Sequence, residues 1–147
     1  FVFVPMVNGS VEAFDKDDLG ASENSLRFTN SLRHPPVASA DSKFIAWPDG
    51  HYVYFASIEG RFRLWSRVES MDEITTTPVA ISNGMIITSK DGTVMRANYE
   101  RLQQIVWRES VGGPVMERPL ANDSIVLVQL TDGQLKCLNT EDGSVLW

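Results

Sequence analysis

The chain has 147 residues, 43% hydrophobic and 22% charged, a globular composition long enough for one domain with a real core and too apolar for disorder. Its formal net charge of -6 lacks the basic footprint that nucleic acid or an anionic membrane surface demands of a main partner. The single cysteine, Cys137, excludes an intrachain disulfide, and no apolar run approaches the ~20 residues of a membrane-spanning helix.

Short apolar runs rich in β-branched residues follow one another along the chain, each a strand by its pattern. Val2-Phe3-Val4 leads through Asn8-Gly9 to Ser10–Phe14. The stretch 17–36 is the least regular, with an elongated loop over Ala21–Asn30. Ser39–Pro48 follows, with an extra turn at Pro48-Asp49-Gly50. Tyr52–Phe55 leads through Glu59-Gly60 to Arg61–Trp65, and the chain closes quickly through Val68–Ile74. Met85-Ile86-Ile87 leads through Asp91-Gly92 to Thr93–Ala97. Leu102–Ile105 has the length of one helical turn, but Ile105-Val106-Trp107 fits a strand better. Ile125–Val128 leads through Asp132-Gly133 to Gln134–Leu138. Asn-Gly and Asp-Gly favour the positive φ of hairpin turns, so Gly9, Gly60, Gly92 and Gly133 are the expected turn glycines. Six residues past each stands a polar residue, Asp15, Ser66, Asn98 or Asn139, expected to open the next turn.

These glycines lie 51, 32 and 41 residues apart. The 41-residue register is the strongest signal. Pro78 precedes Gly92 by 14 residues, Pro119 precedes Gly133 by 14, and the copies close on Trp107 and Trp147. A short-strand array also fits a sandwich or a closed barrel. The period favours an all-β propeller of four-stranded antiparallel blades, about three and a half of them, as part of a seven- or eight-bladed ring. The expected repeats are residues 1–35, 36–77, 78–118 and 119–147 of a single domain. Large flat residues between blades are then Trp107, Trp147 and, in the first repeat, Phe28. The chain opens on Phe1 in mid-strand and stops on Trp147, so both ends read as cuts.

The run Asn139-Thr140-Glu141-Asp142-Gly143-Ser144-Val145-Leu146-Trp147 resembles the blade ending of PQQ-type propeller repeats, roughly A-x-D-x-x-T-G-x-x-x-W. Cys137 takes its small position, Asn139 its aspartate, Asp142 its threonine, Gly143 its glycine and Trp147 its tryptophan. The third repeat has Arg96 and Asn98 at the first two positions and a turn one residue longer before Trp107. The first keeps Ala13 and Asp15, and the second keeps Leu64 and Ser66 and loses the rest. Within that superfamily, Val111–Trp147 is similar to the BamB-like family of outer-membrane assembly lipoproteins. The resemblance implies a non-enzymatic protein-interaction scaffold in the periplasm or cell envelope. It further implies components of β-barrel assembly as partners, and no cofactor.

The alternative is a fragment of a quinoprotein dehydrogenase. That chemistry needs oxygen ligands for Ca²⁺ and an aspartate base. Asp15, Asp17, Asp18, Asp91 and Asp132 supply oxygens, but turns favour acidic residues for conformational reasons. The adjacent disulfide of many alcohol-oxidising relatives cannot form here. His34 and His51 lack metal-ligand spacing, and Asp15-Lys16-Asp17-Asp18 lacks the rest of an EF-hand loop. Cys137 reads as a buried small residue. Trp47 and Trp65 fall outside the repeat position, and Trp47 is the expected exposed anchor for a partner. Arg61, Arg63 and Arg67 form a local basic stretch that reads as a solvated strand face, with Arg61 and Arg63 as further candidate contacts. The loop within 17–36 is another. Open blade faces are expected to self-associate through a second copy, or to be covered by more of the same chain.

Overall fold

The computed structural model describes residues 1–20, 22–27, 33–99, 104–115 and 117–147. Among them, fourteen strands form four antiparallel sheets. The first sheet holds β1 (Val2–Pro5), β2 (Ser10–Phe14) and β3 (Ser22–Arg27). The second holds β4 (Val37–Ala38), β5 (Phe44–Asp49), β6 (Tyr52–Ser57) and β7 (Arg63–Glu69). The third holds β8 (Val79–Ile81), β9 (Gly84–Thr88), β10 (Thr93–Ala97) and β11 (Ile105–Ser110). The fourth holds β12 (Leu120–Ala121), β13 (Ile125–Gln129) and β14 (Leu135–Asn139). Strands pair in chain order within each sheet, the meander of a propeller blade. The short first strands converge, with β8 lying against both β4 and β12.

The register of the second blade differs from the sequence expectation. Its second and third strands join at Asp49-Gly50, so Gly50 is its counterpart of Gly9, Gly92 and Gly133. All four have positive φ, at 61°, 80°, 86° and 87° respectively. The spacing is then 41, 42 and 41 residues, and the apparent irregularity disappears. Gly60 (φ 79°) lies between the third and fourth strands, where Gly143 (φ 77°) lies in the last blade. Two Asp/Glu-Gly turns ten residues apart made the choice ambiguous from sequence.

A bulge recurs at one place in each of the first three blades. Register slips between Ala13 and Phe14, between Phe55 and Ala56, and between Arg96 and Ala97. A bulge adds twist and re-aims the side chain of the extra residue. It lets a flat meander fan outward as a blade must.

Three apolar layers lie between successive blades. Val11, Ala13, Ile45, Trp47, Tyr54, Ala56 and Phe62 join the first to the second. Val53, Phe55, Met85, Ile87, Met95 and Ala97 are central to the layer joining the second to the third. Ile86, Val94, Trp107, Val126, Val128 and Leu138 are central to the layer joining the third to the fourth. Strand alternation does this. Ile86 faces one neighbour while Met85 and Ile87 face the other, and all three are fully buried. Each such side chain contributes about 1.5–3 kcal/mol relative to exposure, so blades stabilise one another rather than folding alone.

Polar links between blades repeat at nearly the same sequence separation. Thr75 Oγ1 donates to the Val115 carbonyl at 2.8 Å, and Arg118 Nη2 donates to the Pro78 carbonyl at 3.1 Å. Ser82 donates its backbone N–H to Asp123 Oδ1 at 2.8 Å and its hydroxyl to Oδ2 at 2.5 Å. These hydrogen bonds hold the Asp123 carboxyl below its usual pKa.

Candidate functional site

The outer rim of the second and third blades collects the most distinctive surface chemistry. Among the described residues β7 is the last strand of its sheet, with one edge free of a strand partner. Exposed edges invite pairing unless charges or bulges blunt them. Arg63 and Arg67 stand exposed on this strand, and Arg61 precedes it. The Arg63 guanidinium lies 5.5 Å from the Trp65 ring centroid, and that of Arg67 lies 4.7 Å from the Tyr52 ring. Arg108 of β11 reaches across and donates Nη2 to the Glu69 carbonyl at 3.1 Å. A cleft of about 520 Å³ opens between the two strands, lined among others by His51, Arg67, Ser70, Met71, Ile105 and Arg108.

A second cleft of about 530 Å³ lies by the turn that follows β10, lined by Phe44, Trp65, Asn83, Arg96, Asn98, Tyr99 and Val106. Phe44 and Tyr99 stack at 4.9 Å, and the Tyr99 hydroxyl donates to the Gly84 carbonyl at 2.9 Å. Burial, then the Asp41 charge, pushes the Tyr99 phenol well above its usual pKa, so it stays a neutral donor.

Trp107 is 9% exposed, and its indole N–H donates to the Thr140 carbonyl of the next blade at 2.9 Å. Trp147 follows the strand-like bridge Leu138–Val145 and accepts the Cys137 N–H on its carbonyl, with its side chain 62% exposed. Phe28 lies outside the described residues. Gly9 occupies the turn between β1 and β2, Gly92 that between β9 and β10 and Gly133 that between β13 and β14, and Gly60 the later turn described above. Arg61 and Arg63 are exposed, Cys137 is buried, His51 is exposed and His34 is half-buried. Among the described residues no group of three or more His, Cys, Asp or Glu converges as a metal cage would.

Two expectations need correction. Trp47 is not a surface anchor. It is 1% exposed within β5, edge-on to Phe3 at 5.9 Å and to Phe62 at 5.9 Å. The Pro48-Asp49-Gly50 turn that suggested exposure is the blade's own central hairpin, which leaves Trp47 on the strand before it, facing the first blade. Trp65, placed outside the repeat pattern, takes part in it. Its indole N–H donates to the Tyr99 carbonyl at 2.8 Å, and Tyr99 precedes Thr140 by 41 residues. Trp65 is the extra residue of the bulge, one position earlier than Trp107 in its own strand. The signal was present, since Trp65 precedes Trp107 by 42 residues, but the misplaced glycine register hid it.

A family model described as outer membrane protein assembly factor BamB matches residues 7–147. The chain belongs to this family. BamB proteins are similar across different lengths of it: that of Yersinia pestis is 36% identical over 69 residues, covering 47% of this chain and 18% of the relative. That of Nitrosomonas eutropha is 29% identical over 113 residues, covering 76% and 26%. That of Shewanella oneidensis is 29% identical over 133 residues, covering 87% and 33%. The chain thus spans a third or less of the length of these BamB relatives. Among solved structures, BamB from Moraxella catarrhalis matches 99% of this chain and 47% of its own, with TM-score 0.78 and 14% identity. Saccharomyces cerevisiae Sqt1 matches with TM-score 0.80 and 11% identity, over 99% of this chain and 43% of its own. A europium-containing methanol dehydrogenase matches with TM-score 0.63 and 12% identity, over 76% and 23%. At these identities the structural likenesses carry the propeller fold alone.

Proposed function

We propose that this chain is part of a non-enzymatic propeller scaffold that binds other proteins in the bacterial cell envelope and serves outer-membrane assembly. The observation that carries the reading is the family match over residues 7–147, joined to curated relatives that are all named as outer membrane protein assembly factors. The periplasmic face of the outer membrane is the site of action in this reading, and components of β-barrel assembly are the partners. Arg61 and Arg63, exposed at the rim of the second blade, are proposed contact residues. Trp107, Trp65 and Trp147 serve blade stacking in this reading, and Gly9, Gly92 and Gly133 the turns that shape each blade.

The dehydrogenase reading has weaker support. Its structural relative shares 12% identity and matches 23% of that chain, and a propeller fold hosts many functions. Deleting the gene for the full-length protein tests the scaffold reading. The expected result is a lowered outer-membrane content of β-barrel proteins, restored by the wild-type gene. An unchanged barrel content, with loss of a quinone-dependent alcohol oxidation instead, would overturn it.

A further inference from the structure

We infer that the rim cleft between β7 and β11 is a docking site for an extended acidic segment of a partner protein. The inference rests on the scaffold reading and names the chemistry of one contact.

Charge carries the argument. Arg67 and Arg108 both line the cleft, and among the described residues neither has a carboxylate within ion-pair distance. Arg67 is held by the Tyr52 ring and Arg108 by the Glu69 carbonyl, so both guanidiniums are positioned yet keep donors to spare. Among the described residues Glu69 is the one carboxylate in the lining, and its Oε1 accepts the Tyr52 hydroxyl at 3.3 Å. A pair of uncompensated arginines stands out on a chain of net charge -6. Arginine's planar fork suits carboxylates, and a guanidinium already seated on a ring or carbonyl loses less freedom on binding.

The apolar part of the cleft fits a side chain between the acidic ones. Met71 is 73% exposed and Ile105 36% exposed, and among the described residues the buried Ser70 hydroxyl has no hydrogen-bond partner. The positive edge continues along β7 to Arg63 and Arg61. Seven strand residues span about 23 Å, the reach of an extended peptide of about seven residues. A flat anionic bilayer would not enter a cleft between blades, and the net negative charge repels it.

The test uses fluorescence anisotropy on the purified full-length protein with a labelled decapeptide of alternating glutamate and threonine, and its glutamine counterpart. The glutamate peptide is expected to bind saturably at low ionic strength, at least about tenfold tighter than the glutamine one. The double variant Arg67→Glu with Arg108→Glu is expected to lose at least about tenfold, and a control of equal net charge, Lys16→Glu with Lys90→Glu, less than about twofold. If the double variant melts early, Arg108→Gln alone serves, with an expected loss of about threefold to tenfold. Equal loss in the control, equal affinity for the glutamine peptide, no binding, or binding only to phosphatidylglycerol vesicles overturns the inference. Full-length protein that keeps its envelope partners after Arg67 and Arg108 are reversed also overturns it, while leaving the scaffold reading intact.

Discussion

The indole N–H of Trp107 donates to the carbonyl of Thr140 across the gap between the third and fourth blades, at 2.9 Å. The same carbonyl accepts Arg96 Nη1 at 3.3 Å, so one backbone oxygen ties two side chains of one blade to the turn of the next. Trp107→Phe keeps most of the apolar area and loses the hydrogen bond, an expected cost of about 1 kcal/mol. Trp107→Ala also opens a cavity, for an expected total of about 3–5 kcal/mol. Urea unfolding of the two variants separates the terms: an unchanged stability in Trp107→Phe would show that the hydrogen bond contributes little, and equal costs would show that the cavity does.

Trp65→Ala is expected to cost about 2 kcal/mol, less than Trp107→Ala because its ring is only half-buried. Trp47→Ala is expected to cost about 3–5 kcal/mol, as a fully buried aromatic does. A Trp47 variant of normal stability would restore the surface role that its place before a Pro-Asp-Gly turn suggests.

The glycines divide by what a side chain would meet. At Gly143 an added Cβ would stand 2.7 Å from the Trp107 ring, and at Gly92 it would stand 2.2 Å from the Gly113 carbonyl oxygen. At Gly133 and Gly60 nothing among the described residues lies within 4 Å, leaving only the cost of positive φ. Gly133→Ala and Gly60→Ala are therefore expected to cost about 1–2 kcal/mol. Gly92→Ala and Gly143→Ala are expected to cost clearly more, since backbone or a packed ring must also move. Thermal melts of the four variants rank them directly.

Repeat architecture was legible because hairpin glycines and closing tryptophans recur at blade length. Within the blade the signal was thinner. Glu59-Gly60 and Asp49-Gly50 are both sound turn pairs, and only the pairing of β5 with β6 shows which one is the central hairpin. That choice moved Trp47 into the core and Trp65 into the stacking layer. The Arg108 half of the rim cleft was illegible for another reason. It meets Glu69 across 39 residues, and no local pattern joins strands of different blades.

Acid should loosen the contact between blade turns. Asp123 is held below the usual 3.8 by the Ser82 hydroxyl and then by the Ser82 N–H. A depressed folded-state pKa gives stability that is present above the unfolded value and lost as pH falls through the folded one. The expected loss therefore lies below about pH 4. Ser82→Ala is expected to move the Asp123 titration, followed by NMR, back up toward 3.8 and to shrink its share of the acid sensitivity. An unchanged midpoint would remove Ser82 as the cause.

In the proposed scaffold role, the full-length protein acts by binding other proteins. Chemical crosslinking of the full-length protein in intact cells, followed by mass spectrometry of what co-purifies, tests it most directly. The expected result is crosslinks to outer-membrane assembly proteins, including peptides joined to the rim of the second and third blades. A protein that crosslinks to none of them, and instead binds a quinone cofactor with calcium, would contradict it.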